Sequence, residues 1–195
     1  TPHPVDFHID GAEVELYRDV TRYVKPQSAK AFSQGDDPRA RAIGFLMSLY
    51  QRRLASSTYA MRHSLENRSK RLEVGLKKAQ ELTRMVPPEI PELEDLEEME
   101  DYEREKLEEI LDAFTLASNA EQIREEIEEL RRLAEQAQGV EDSGTEEKLS
   151  QLKDLLQEKG FFDHPEQRLL IFTEFKDTLD YLKGCLKDLG FKVND

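Results

Sequence analysis

Residues Gln167 to Leu189 read QRLLIFTEFKDTLDYLKGCLKDL, and the two halves of this stretch follow different periods. Leu169, Leu170, Ile171 and Phe172 form a continuous apolar run. Such a run marks a strand covered on both faces, as in a parallel sheet. After Thr173 and Glu174 the apolar residues return as Leu179, Leu182, Leu186 and Leu189, at helical spacing. Gly190 is placed to stop that helix, and Phe191, Lys192 and Val193 read as the start of another strand. A strand, a crossover helix and a further strand open an α/β domain, cut off before a sheet is complete. A strand in that position has unpaired edges. Leu169–Phe172 is therefore expected to pair with Val5–Ile9 or with a neighbouring molecule.

Working back from this stretch, the chain reads as helix after helix. Leu149, Leu152, Leu155 and Leu156 share one face of a lead-in helix closed by Gly160, and Ser143 with Glu146 has the spacing of a capping box. Ile123, Ile127, Leu130, Leu133 and Ala137 lie along a helix expected to stop at Gly139. Met99, Tyr102, Leu107, Ile110, Leu111 and Phe114 are the expected inward positions of the helix before it, with Asn119 between the two. Residues 89–98 are acidic and punctuated by proline, which predicts a mobile linker. Upstream, Leu65, Leu72, Leu76, Ala79 and Leu82 approximate a heptad seam and predict a protruding, coiled-coil-like arm ending at Pro87. Ser56, Ser57 and Thr58 interrupt or cap the helices there, and Ile43, Leu46, Met47, Tyr50 and Leu54 face inward before them. Asp37 is placed to cap that first arm helix. At the N-terminus Val5, Phe7 and Ile9 alternate as in a half-buried strand, Asp10 and Glu13 suit a capping box, and Pro26 is expected to end the first helix.

These elements predict a mostly α chain in four parts. Residues 1–38 are a strand–helix segment, 39–86 a basic helical arm, and 87–147 an acidic linker with a coiled-coil-like hairpin insertion. Residues 148–195 are the lead-in helix and the truncated βα start of an α/β lobe.

Charge is divided along the same lines. The chain has 195 residues, 36% of them charged, and a net charge of −14. Average proteins carry about 25% charged residues, so much of this chain is solvated helix surface. Residues 1–86 hold 15 basic and 10 acidic side chains, residues 87–147 hold 5 and 23, and residues 148–195 hold 8 and 9. Within the first third, Arg39 to Arg84 carries 11 basic and 3 acidic residues. Local charge decides which surface meets a polyanion, so the negative total does not exclude nucleic acid. The one cysteine, Cys185, makes no internal disulfide and reads as packed rather than reactive. His3, His8, His63 and His164 lack ligand spacing, so no metal is expected. No apolar run reaches a membrane-spanning length, and TPHPVDFHID has neither the basic region nor the apolar core of a signal peptide. The expectation is a cytoplasmic protein and, without an initiating Met, a piece of a longer chain.

Four stretches carry a family resemblance. RLLIFTEFKDTLDYLKGCLKDLGF (168–191) resembles motif IV and its following helix in the Swi/Snf-type ATPases of helicase superfamily two. ELYRDVTRYV (15–24) resembles the segment by which that family leaves its first RecA-like lobe. LYQRRLASSTYAMRHSLENR (49–68) resembles a helix of the RapA-like bacterial and archaeal branch, commonly written with a Lys-Arg-Leu-Ala-Ser-Ser core; this chain has Arg52 in place of the Lys. EKLSQLKDLL (147–156) resembles the helix leading into the second lobe. Residues 87–140 match nothing specific. The resemblance implies a fragment of a DNA-dependent ATPase that carries the inter-lobe helices and the first βα unit of a RecA-like lobe. That fragment would help to grip duplex DNA and relay lobe closure. The longer protein would use ATP and Mg, and RapA-like members act on RNA polymerase. The sequence itself contains no Gly-x-x-x-x-Gly-Lys-Thr phosphate loop, no Asp-Glu-x-His type metal-binding motif and no arginine-finger motif. Phosphoryl transfer needs all three functions. This chain alone is therefore expected to hold no cofactor and to hydrolyse no ATP.

The resemblance implies phosphate contacts at Thr173 and Lys176, since α/β sheets place ligands at strand C-termini and helix N-termini attract anions. The competing reading makes Thr173 a helix cap and has Glu174 cap or pair with Lys176. Arg52, Arg53, Arg62, Arg68 and Arg71, with Lys70, form a basic stripe. They either bind a nucleic-acid backbone with strong salt dependence, or form a solvated face or neutralise the acidic hairpin. The hairpin in turn is either an autoinhibitory DNA mimic or a solvated surface. The alternative for the whole chain is a free-standing coiled-coil interaction module, with dimerisation through the coiled coil or the exposed strand.

Overall fold

A computed structural model describes residues 11–33, 37–77, 99, 101–115, 120–144, 146–164 and 166–193. Among them lie seven helices: α1 (Gly11–Ser33), α2 (Pro38–Ser56), α3 (Thr58–Lys77), α4 (Asp101–Thr115), α5 (Ala120–Ser143), α6 (Glu147–Glu158) and α7 (Lys176–Asp188). No strand forms among the described residues. The chain is mostly helical, as its periodicity predicts.

The apolar stripes explain the packing. Leu16, Val20 and Val24 of α1 are buried and share one core with Ala42, Phe45, Leu46 and Leu49 of α2. Met61, Leu65 and Leu72 of α3 meet Ile123, Ile127, Leu130, Leu133, Ala137 and Val140 of α5 in that same core. The heptad-like seam of α3 is thus covered within the chain. The arm does not protrude as far as Lys77, because α5 supplies the apolar face its seam requires; Ala79 and Leu82 lie outside the described residues.

Several boundaries differ from the sequence reading. Pro26 does not end α1, which continues to Ser33. Its ring holds φ near the helical value, and the N–H it lacks is one bond in a helix of 23 residues. Gly139 lies inside α5, because Val140 beyond it is still buried in the core. The left-handed residue that ends α5 is Gly144, with φ +64°. Asp37 precedes α2, whose first residue, Pro38, stands where proline's fixed φ suits a helix start.

The C-terminal part packs more lightly. Gly160 (φ +74°) and Gly190 (φ +90°) close α6 and α7 as expected. The following residues, Phe161 and Phe191, donate back to Leu156 O and Leu186 O, which is the Schellman closure. Residues 167–173 form neither helix nor strand. Leu170 and Phe172 are 76% and 86% exposed. The expected strand is absent because no described element offers a sheet edge, and without a partner the apolar run has no pleat to join. Val5–Ile9, the expected partner, lies outside the described residues, as does the 89–98 linker.

Candidate nucleic-acid interface

The segment with the motif IV resemblance sits on the joint between α2 and α3. Ser57 makes that joint. Its Oγ accepts the Ala60 N–H at 3.1 Å, capping α3 as the sequence predicts. The hydroxyls of Ser56 and Ser57 each lie 2.8 Å from Thr178 Oγ1 on the first turn of α7. Beside them Arg52 Nη2 reaches Glu174 Oε1 at 3.0 Å. Phe175, buried at the N-cap position of α7, lies under two guanidinium groups. Its ring centroid is 5.4 Å from Arg53 and 6.0 Å from Arg104, within cation–π range. A cleft of about 500 Å3 opens here, bounded by Arg52, Ser56, Lys148, Thr173, Thr178 and Tyr181 among others.

Helix caps taken from other elements build the opposite wall. The Glu13 Oε2 accepts the Glu147 N–H at 2.9 Å, capping α6 from α1; Asp10, its expected local partner, lies outside the described residues. Glu146 likewise reaches across, accepting the Thr58 N–H at 3.2 Å and so serving the start of α3. The expected Ser143–Glu146 box is replaced by this arrangement. Ser143 donates to Val140 O instead. Burial holds the Glu146 carboxyl above the usual range, against the pull of the Thr58 N–H and the Tyr181 hydroxyl, with Glu13 adding to the rise. Burial and the nearby Glu13 and Glu146 push the Tyr17 phenol up to about 12, while its hydroxyl donates to Leu54 O at 2.8 Å. Burial lowers Lys148, which donates to Ala55 O. Cys185 is half-buried, and burial raises its thiol, so it is a poor nucleophile at neutral pH.

The basic stripe faces inward to carboxylates rather than outward to solvent. Arg68 is 2% exposed and pairs with Asp112 of α4 and Glu126 of α5. Its Nε also lies 3.2 Å from the Tyr23 hydroxyl. Arg71 pairs with the same Asp112 and, at 3.5 Å, with Glu108. Arg53 reaches Glu108 at 2.7 Å. Arg62 grips Glu141 through two nitrogens, at 2.8 and 3.1 Å, and Glu66 at 2.7 Å. All five candidate arginines therefore pair with acidic residues of their own chain, Arg53, Arg62, Arg68 and Arg71 with the hairpin helices α4 and α5 and Arg52 with Glu174.

The sequence-selected residues thus do not form one group. Arg52 and the half-buried Thr173 line the cleft, while Lys176, exposed at the start of α7, does not. Arg53, Arg62, Arg68 and Arg71 belong to the internal ion pairs. Thr173 is not the helix cap, since Phe175 holds that position. Glu174 pairs with Arg52 rather than with Lys176. Sequence reasoning missed Arg104, Phe175 and Thr178. Phe175 carried a usable signal, being the apolar residue directly before the helix. Among the described residues no group of three or more His, Cys, Asp or Glu side chains is placed to hold a metal ion. No helix among them is long and apolar enough to cross a membrane. Compared with protein-family models, curated proteins and solved structures, the chain finds no match in any of the three.

Proposed function

We propose that this chain is part of a Swi/Snf-type DNA-dependent ATPase. It carries the helices between two RecA-like lobes and the motif IV segment that begins the second. One observation carries this reading. Two stretches resembling that family, 49–68 and 168–191, are far apart in sequence yet bonded to each other, Ser56 and Ser57 to Thr178 and Arg52 to Glu174. A segment that begins a motor lobe and is clasped by the inter-lobe helices is suited to pass lobe closure to them. In this role Leu169–Phe172 becomes a strand only within the full sheet, which accounts for its exposed apolar side chains. Duplex DNA meets the cleft through Thr173 and Arg52 and the start of α7 through Lys176. Arg53, Arg62, Arg68 and Arg71 hold the support in shape. ATP and Mg act elsewhere in the longer protein, and this chain alone turns over no ATP.

The alternative, a free-standing coiled-coil module, is disfavoured by the burial of Met61, Leu65 and Leu72 against α5, which leaves no seam there for a second chain. Duplex binding measured across salt concentrations separates the two readings. The proposal expects a steep inverse salt dependence, with Lys176→Gln lowering the slope by about one. Salt-independent binding, or none, overturns it. On the gene, a phosphate loop upstream and an arginine-finger motif downstream are expected, and an open reading frame lacking both removes the parent assignment.

A further inference from the structure

The geometry points to Arg104, on the acidic insertion helix α4, as the positioning residue that sets the 173–178 segment on the α2–α3 joint. Nothing in its sequence context marks Arg104 out; it lies among Glu103, Glu105, Glu108 and Glu109. Its side chain is nonetheless buried. Nε donates to Met99 O at 3.2 Å, and Nη1 donates to Glu174 O at 3.0 Å. The guanidinium plane lies over the Phe175 ring. A planar fork with several fixed donors can hold two carbonyls and an aromatic face together, which an ammonium cannot do.

Each contact constrains the same short piece of chain. The Glu174 carbonyl sits immediately before the N-cap residue, so binding it fixes the direction in which the chain enters α7. Phe175 is extended there, with φ −110° and ψ 132°, and Arg53 also lies over its ring, 5.4 Å from the centroid. One helical turn beyond Arg104, Glu108 pairs with that same Arg53 at 2.7 Å. The face of α4 formed by Arg104 and Glu108 therefore closes around Phe175 together with α2. The Ser56–Thr178 and Ser57–Thr178 bonds complete the seat from the α2–α3 joint. The carbonyl clamp and the Arg104 contact with the Phe175 ring both come from the acidic insertion. The insertion thus serves as a buttress for α7 rather than as a free acidic appendage. Thr173 and Lys176 flank the clamped residues, so Arg104 also sets where they stand. That last consequence rests on the DNA-binding reading above; the clamp itself does not.

The test is residue-resolved hydrogen exchange on the whole chain, paired with duplex binding across salt. In Arg104→Gln the amides from Leu179 to Leu182, beginning with the bond from Leu179 N to Phe175 O, are expected to lose protection by at least about tenfold, while α1–α3 amides stay protected. Arg104→Lys keeps the charge without the fork and is expected to lose most of the same protection. Unchanged α7 exchange in both variants overturns the positioning role, whatever the DNA result. Full protection in Arg104→Lys overturns the role of the fork. If Arg104→Gln loosens the whole bundle, Arg104→Lys decides the question by the α7 amides alone. A wild-type chain that shows no salt-dependent duplex binding, but loses α7 protection in both variants, sinks the DNA reading and leaves the clamp standing.

Discussion

Helices α4 and α5 belong to the same acidic third of the chain, and both pack on the arm, yet they bury opposite chemistry. Helix α5 turns Ile123, Ile127, Leu130, Leu133, Ala137 and Val140 inward and leaves its glutamates mostly to solvent. Helix α4 turns Arg104, Glu108, Leu111 and Asp112 inward and leaves Tyr102 and Ile110 outside, 67% and 41% exposed. Residues 104, 108, 111 and 112 share one face, so α4 is amphipathic in the ordinary sense, but its buried stripe is mostly charged. The difference lies in what each helix meets. Helix α5 meets the leucine seam of α3. Helix α4 meets Arg53, Arg68 and Arg71, whose charges are costly to bury without partners. Once those arginines turn inward, only carboxylates can occupy the facing positions.

Removing one member of the ionic layer is the strongest way to break this contrast. Arg68→Met leaves Asp112 and Glu126 facing an apolar side chain. Stripping one partner from a buried pair typically destabilises by about 3–5 kcal/mol, and a loss in that range is expected by urea denaturation. Adding Asp112→Leu should recover part of it, since contacting residues couple by about 0.5–3 kcal/mol. A double variant no better than the sum of its parts would show that the pair is not coupled as the geometry implies. The apolar layer gives the matching measurement. Leu133→Ala in α5, a fully buried position, is expected to cost about 3 kcal/mol by the same method. High salt should leave that loss unchanged.

A smaller effect is read by pH at a carboxylate outside both layers. Burial raises the Glu146 carboxyl above its ordinary value of 4.5, so the folded chain takes up that proton more readily than the unfolded one. Its contribution to stability is fully present below the ordinary value and is lost as pH rises through the higher folded value. In Glu146→Gln this component disappears. The wild type should lose more stability than the variant as pH rises above 4.5. An equal loss in both would show that Glu146 is not raised.

Apolar periodicity made most of this fold legible. The inward faces of α1, α2, α3 and α5 follow from leucine, isoleucine and valine spacing, and Ser57 was readable as a cap. The α4 face was readable only in part: Leu111 is buried and Leu107, with Met99 before the helix, packs against the core, but periodicity ranks Tyr102 and Ile110 above Glu108 and Asp112, and only the opposing arginines reverse that order. At the site, the residues singled out from sequence include Arg52 and Thr173, which line one cleft, whereas the stripe of arginines left DNA, solvent and the acidic hairpin open as partners, and four of those arginines meet the chain's own carboxylates on α4 and α5. Boundaries at Pro26 and Gly139 failed because neither residue forbids a helix whose core contacts continue. Leu169–Phe172 reads as a strand, but a strand is a property of a ladder, and no described element offers it a sheet edge.

The smallest expected effect gives the sharpest test of the contrast, because it compares neighbours in sequence. Ile110 and Leu111 are both branched aliphatics expected to face the core, yet Leu111 is fully buried and Ile110 is not. Ile110→Lys should change stability by less than about 0.5 kcal/mol, as exposed substitutions do. Leu111→Lys should unfold the bundle, since it puts an unpaired ammonium into a core already holding Arg53, Arg68 and Arg71. Thermal melts of the two variants read this directly. If the effects were reversed, α4 would be rotated by about 100° per residue step from the orientation found here. Arg104, Glu108 and Asp112 would then face water, and both the ionic layer and the seat of Phe175 would be lost together.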